Sequence, residues 1–241
     1  DELCRNRGVM VNFVDMRTRN DYLFSHSVNV CILSVLTGIS LGFDELRLRD
    51  LGVGALLHDV GKTQIAPEIL NKTERLSPEE VEEIKKHPSY GFEILRKNPD
   101  ISLMSAHCAF QHHERFDGSG YPQSIRDAEI SFSAKIVAIA DIYDAMTSDR
   151  VYQNRLTPFA AIKTLFENMF DKLDAAICTV FLSNLKDYFV GTAVNLTDGR
   201  LGEIIYMDGL AWDRITVKTT DGECIDLHDK HTVQIDVFFY A

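Results

Sequence analysis

Residues 46–62 read LRLRDLGVGALLHDVGK, a run whose apolar positions recur at helical spacing and which closes on an adjacent histidine and aspartate, His58-Asp59, with Lys62 just beyond. On a helix, Lys62 lies four residues after His58 and three after Asp59, so it shares their face. Imidazole and carboxylate together suit Mn, Fe or Zn, and a carboxylate can bridge two ions where one imidazole nitrogen cannot. The run therefore predicts a helix with metal-binding groups at its end.

Similar signals lie on either side. In residues 22–39, Leu23, Val30, Leu33 and Leu36 fall at helical spacings with His26 on the same stripe, which predicts a buried helix carrying a histidine inward. The apolar stretch 28–43 is interrupted by Asn29, Ser34, Thr37 and Ser40, and reads as a bundle helix and not as a membrane span. Ser77-Pro78-Glu79-Glu80 opens a helix with a capping serine, an N-terminal proline and a capping-box glutamate. That helix is expected to reach Lys86, with Pro88 restricting His87 just beyond it. A helix over 101–113 gives way at His112-His113 to the turn-rich loop Glu114-Arg115-Phe116-Asp117-Gly118-Ser119-Gly120-Tyr121-Pro122. A helix over 133–148 sets Asp141 among Ile136, Ile139, Ala140 and Tyr143, where a buried carboxylate needs a cation or several donors.

Helical signals continue through 157–185. After about residue 188 the period changes to short, partly alternating runs at 192–196, 202–206, 215–218 and 233–237, separated by Asp-Gly turns. The expected fold is mainly α: a helical bundle over residues 1–188 with a small C-terminal all-β appendix over 189–241.

Twenty-five basic against 36 acidic residues leave a net charge of −11, which argues against binding long nucleic acid through a broad cationic surface. Bound cations can still attract a small phosphate ligand into a pocket. The five cysteines are scattered, with no CxxC pair, so neither a disulfide framework nor a thiolate zinc site is expected. A reducing, cytoplasmic setting fits them. The abrupt polar opening at Asp1 to Arg7 suggests a fragment of a longer protein.

The motifs resemble those of the HD-GYP domains, a branch of the HD-domain metal-dependent phosphohydrolases. The likeness runs in order through His26-Ser27, Leu57-His58-Asp59-Val60-Gly61-Lys62, Ile69-Leu70-Asn71-Lys72, Lys86-His87-Pro88, the block from His112 to Pro122, and Ile139-Ala140-Asp141-Ile142-Tyr143-Asp144. It spans roughly residues 15–185, and its most specific part is the block from His112 to Pro122. The resemblance implies an HD-type helical bundle that holds divalent iron or manganese and hydrolyses cyclic di-GMP to the linear dinucleotide, and onward to GMP in some members. By the same resemblance His26, His58 and Asp141 hold one ion, His87, His112 and His113 hold the other, and Asp59 bridges both. Lys62 and Arg150 match phosphate-contacting residues, and Gly120-Tyr121-Pro122 shapes the nucleotide pocket. A homo-oligomer and an upstream sensory domain are also compatible with it, in a bacterial signalling setting.

Two departures bear on these expectations. Some members carry a glutamate four residues before the first histidine, which supports a third metal; Tyr22 stands there, so two ions are expected. The usual basic residue after the arginine-proline-tyrosine motif is Gln153, within Arg150-Val151-Tyr152-Gln153, and Arg155 is two residues out of register. The loss of that charge keeps open a weakly catalytic or non-catalytic receptor for a cyclic dinucleotide. A phosphohydrolase of another nucleotide is the remaining alternative.

Overall fold

The computed structural model describes residues 21–148, 157–208, 214–229 and 233–239. The chain divides into two compact units, Asp1–Cys178 and Thr179–Ala241. The first is helical: α1 (Asp21–Ser40), α2 (Glu45–Leu56), α3 (Pro67–Leu70), α4 (Pro78–Ile84), α5 (His87–Leu95), α6 (Leu103–Gln111), α7 (Phe132–Thr147) and α8 (Pro158–Asn168). A last helix, α9 (Ala175–Phe189), runs from the first unit into the second. Helix α1 packs on α2 and α7, α6 packs on α2, α5 and α7, and a 3-10 turn at Val60–Gln64 lies on α5.

Local chemistry sets the helix boundaries. Asp44 caps α2 by accepting from Arg47 N, and Ser77 and Glu80 form the reciprocal capping box at α4. Ser102 caps α6 and Thr157 caps α8 in the same way. Pro88 plays a different part from the one expected of it. It lies in the first turn of α5, which His87 itself opens, because a proline costs nothing where the N–H would be unsatisfied anyway.

Helix α1 departs from the expected stripe. Leu23, His26 and Val30 are buried, but Leu36 is 50% exposed, and the inward positions toward the C-terminal end are Ser34, Thr37 and Gly38. Small residues are needed there, since a Cβ on Gly38 would lie 2.9 Å from the Leu51 side chain of α2. Leu23–Ser40 is long and apolar enough to cross a membrane by length and composition. Its inward face nonetheless carries His26, Ser27, Ser34 and Thr37 against the bundle, as a core helix does.

Beneath the end of α2, Leu57, Val60, Leu95, Ala106 and Ala109 form a buried apolar cluster. Burying a side chain such as Leu57 is worth about 1.5–3 kcal/mol. Leu57 and Val60 flank His58-Asp59 directly, so the polar pair is held by anchors on both sides.

The second unit carries an antiparallel sheet with strand order β4-β3-β2-β1-β5: β1 (Ala193–Leu196), β2 (Leu201–Met207), β3 (Ile215–Thr219), β4 (Cys224–Asp226) and β5 (Ile235–Phe239). Strand β4 adds to the runs legible in the sequence. The cysteines among the described residues, Cys31, Cys108, Cys178 and Cys224, are free thiols.

Candidate metal centre

Three histidines follow helix ends and use those ends to orient themselves. His58 Nδ1 lies 2.7 Å from Ala55 O, His87 Nδ1 2.8 Å from Ile84 O, and His112 Nδ1 3.0 Å from Ala109 O. A carbonyl can only accept, so each Nδ1 carries the proton and each Nε2 of the neutral ring presents a lone pair. The accepting carbonyls belong to the last turns of α2, α4 and α6, groups that have no partner within the helix. The three helix ends also bring their negative dipole ends to one place, which favours a cation there.

The lone pairs converge. His87 Nε2 and His112 Nε2 are 3.3 Å apart, and neither has a proton to offer the other. His58 is fully buried, and its Nε2 has no hydrogen-bond partner among the described residues although it lies 3.4 Å from Asp59 Oδ2. Buried lone pairs facing one another and facing carboxylate oxygens are costly unless a positive charge sits between them.

Asp59, 1% exposed, stands between two sets of imidazoles. Its Oδ1 is 3.3 Å from His87 Nε2 and 3.8 Å from His112 Nε2; its Oδ2 is 3.4 Å from His58 Nε2 and 4.0 Å from His26 Nε2. His26, His58 and Asp59 present ligand atoms that could hold one ion, and His87, His112 and His113 present another such set. Asp141 joins the first set, with Oδ1 3.0 Å from His26 Nε2 and 3.9 Å from His58 Nε2. The imidazole and carboxylate donors fit a divalent first-row metal.

The electrostatics agree. Burial opposes ionisation of Asp59 and Asp141, yet both are held well below the ordinary carboxylate range, Asp59 by Lys62 and His58 and Asp141 by its bond to His26. Burial also works against a charge on His26, but hydrogen bonds to Asp141 and Asp144 outweigh it and push its pKa up to about 9. The carboxylates that draw a proton to this spot would draw a divalent cation more strongly. Burial holds His112 well below the ordinary imidazole range and takes His113 down to about 3, so both stay neutral, as ligands must.

The remaining expected residues are placed as follows. Lys62 Nζ donates to Asp59 Oδ2 at 2.6 Å, with its side chain 20% exposed. Tyr121 stacks on His113, ring centroids 4.6 Å apart and planes 23° from parallel, at a cis Tyr121-Pro122 bond. Gly120 fits where a Cβ would meet Glu114 Cα at 2.5 Å and the His113 carbonyl, which is how the loop returns onto the ligand pair. Arg150 lies outside the described residues, as do Gln153 and Arg155.

Three further residues support the centre. Asp144 Oδ2 lies 2.6 Å from His26 Nδ1, and its Oδ1 accepts from Asn29 Nδ2 at 2.9 Å, so a buried carboxylate orients the imidazole. Their signal in the sequence is spacing: Asp144 follows Asp141 by three residues, and Asn29 follows His26 by three. Glu114 is 3% exposed and accepts from Gln123 N (2.7 Å) and Ile125 N (3.2 Å). It ties down the loop by bonds from the backbone.

The sequence signature of the HD domain matches residues 17–177. The chain is 33% identical over 207 residues to a cyclic di-GMP phosphodiesterase of Pseudomonas aeruginosa, covering 86% of this chain and 50% of that protein. It is 41% identical over 154 residues to a cyclic di-GMP phosphodiesterase of Thermotoga maritima (64% and 40%), and 31% identical over 156 residues to 3'3'-cGAMP-specific phosphodiesterase 3 of Vibrio cholerae (65% and 34%). The chain thus spans half or less of the length of these relatives. Among solved structures it resembles Bd1817, an HDG"Y"P protein from Bdellovibrio bacteriovorus, with a TM-score of 0.56 at 24% identity over 74% of this chain and 61% of that one, a likeness of fold. The matched span takes in every helix that carries a candidate ligand, from His26 to Asp141, and on that ground the chain belongs to the HD domain family.

Proposed function

We propose that this chain is the catalytic part of a divalent-metal-dependent phosphodiesterase acting on cyclic dinucleotides, with cyclic di-GMP as its first substrate. The observation that carries the reading is Asp59, whose two oxygens face two separate histidine sets. That is the donor arrangement of a two-ion centre, with His26, His58 and Asp141 on one side and His87, His112 and His113 on the other. Iron or manganese suits these donors. Two ions are expected and not three, because Tyr22 occupies the position one turn before His26.

Divalent ions held there supply charge to neutralise phosphate oxygens and make water a competent nucleophile at neutral pH. The chain's own residues do the rest. Asp59 and Asp141 hold negative charge against the imidazoles, and Asp144 fixes the ring of His26. Lys62 is close enough to the centre to move from Asp59 to a phosphate oxygen and offset charge that develops on it. Tyr121, braced on His113, offers an aromatic face beside the centre for a nucleobase.

The names of the relatives favour cyclic di-GMP, and three from Vibrio cholerae are named for 3'3'-cGAMP, which makes that dinucleotide the second reading. The test is anaerobic turnover by protein loaded with iron or manganese, offered cyclic di-GMP, 3'3'-cGAMP and cyclic di-AMP in parallel, with products followed over time. Hydrolysis of cyclic di-GMP that disappears in Asp59→Ala is the expected result. Tight binding of every dinucleotide without product would turn the reading to a receptor.

A further inference from the structure

Next to the loop that follows His113, a cavity of about 230 Å³ has Arg115, Thr164, Asn168 and Lys172 as its polar lining, with Ile142 and Leu165 among its apolar walls. Arg115 Nη1 donates to His112 O (3.2 Å) and Glu114 O (2.9 Å), which fixes the guanidinium. Its Nε and Nη2 have no hydrogen-bond partner among the described residues, and no described carboxylate lies within ion-pair distance of Arg115 or Lys172. Thr164 Oγ1 donates to Ala160 O (2.9 Å) and Asn168 Nδ2 to Thr164 O (2.7 Å), so Thr164 Oγ1 and Asn168 Oδ1 remain as acceptors.

Arg115 and Lys172 both line this small cavity; Lys172 is exposed, and although the Asp141, Asp117 and Glu114 carboxylates lie near Arg115, none of them accepts from it, so the largely enclosed guanidinium has three N–H groups still to place. This occurs in a chain with net charge −11, where carboxylate partners are plentiful elsewhere. The cavity is smaller than the about 300–1,000 Å³ of pockets that hold organic ligands, so a whole nucleotide does not suit it. A tetrahedral oxyanion does: its charged oxygens meet the guanidinium and the ammonium, and the hydroxyl of a monohydrogen phosphate meets Thr164 or Asn168.

We infer that this cavity is a binding site for inorganic phosphate or a closely similar oxyanion, held by Arg115 and Lys172. The ion would tie the loop carrying Arg115 to the end of α8, next to the bond from Phe116 N to Lys172 O at 2.9 Å. Its lining includes none of the candidate metal ligands, around which the phosphate of a substrate would bind.

Titration calorimetry with inorganic phosphate tests this, on both metal-loaded and chelator-washed protein. The expected result is saturable binding of one phosphate per chain in both forms, weakened at least about tenfold in Lys172→Glu and in Arg115→Gln. Lys172→Glu leaves the Arg115 contacts to the backbone in place, so it remains informative if Arg115→Gln fails to fold. No saturable binding, binding unchanged in Lys172→Glu, or binding confined to metal-loaded protein would each overturn the assignment, the last by placing the phosphate on the metal centre.

Discussion

Lys62 and Asp144 each contact a residue of the candidate centre, Asp59 and His26 respectively, and the contacts predict opposite phenotypes. Lys62 is partly exposed and bonded to an oxygen of Asp59 that already faces two imidazoles. Lys62→Ala should therefore retain metal while kcat falls on the order of 10²-fold or more, as when a donor to a developing oxyanion is removed. Metal analysis beside steady-state kinetics decides it, and unchanged kcat at full occupancy would leave Lys62 an ion-pair partner only. Asp144 touches no expected ligand atom of the centre; it acts through His26 Nδ1. Asp144→Asn should weaken metal binding about 10–100-fold, the usual effect of losing an orienting partner, and competition with a metallochromic chelator measures that directly. The candidate ligands were legible through the ordered likeness of their motifs to the HD-GYP domains, since a His-Asp pair alone occurs by chance in many proteins. Asp144 was not, because a carboxylate one turn from another reads equally well as surface charge until the fold shows it buried beside Asn29.

Among the elements, the 3-10 turn Val60–Gln64 and helix α5 meet with almost no space between their backbones. A Cβ on Gly61 would collide with the His87 carbonyl and come within 2.5 Å of Gly91 N. Both are backbone atoms that cannot turn aside, so Gly61→Ala has to separate the element carrying Lys62 from the one carrying His87. Its expected cost is at least about 4 kcal/mol, at the exceptional end for a single substitution, read as a lowered denaturant midpoint. A variant of native stability would mean the turn can shift without loss. Sequence periodicity revealed α1 and the run into His58, but it carried that run as a helix to Lys62 where α2 ends at Leu56 and a 3-10 turn follows, it gave no helix over 87–95, and it could not show this contact between residues far apart in the chain. The same limit explains Leu36: its spacing allowed an inward place, and the close approach of α2 at Gly38 gave that face to small residues instead.

For the whole molecule, the fold class was legible because the hydrophobic period changes once, near residue 188, from helical to alternating. What periodicity could not convey is that α1, α2, α6 and α7, with the turn into α5, draw their polar residues to a single buried point. Metal bound only by the folded chain must then stabilise it. At a free concentration 100 times Kd the gain is about 2.7 kcal/mol. For a chain of this size that corresponds to a Tm lowered by roughly 5–10 °C when a chelator is added, and recovered with Mn(II), by differential scanning calorimetry. A Tm insensitive to both treatments would mean that the histidine sets do not hold an ion.

The bonds from His58, His87 and His112 to carbonyls three residues earlier give these positions a constraint unlike that of ordinary loops. Inserting or deleting one residue between a helix end and its histidine turns the imidazole by about 100° and displaces it along the axis. The ring would lose its carbonyl and its aim together. Length variation, tolerated in most connections between helices, should therefore be selectively lethal at 55–58, 84–87 and 109–112, and a scan of single-residue insertions along the bundle would map the centre without any assay of chemistry.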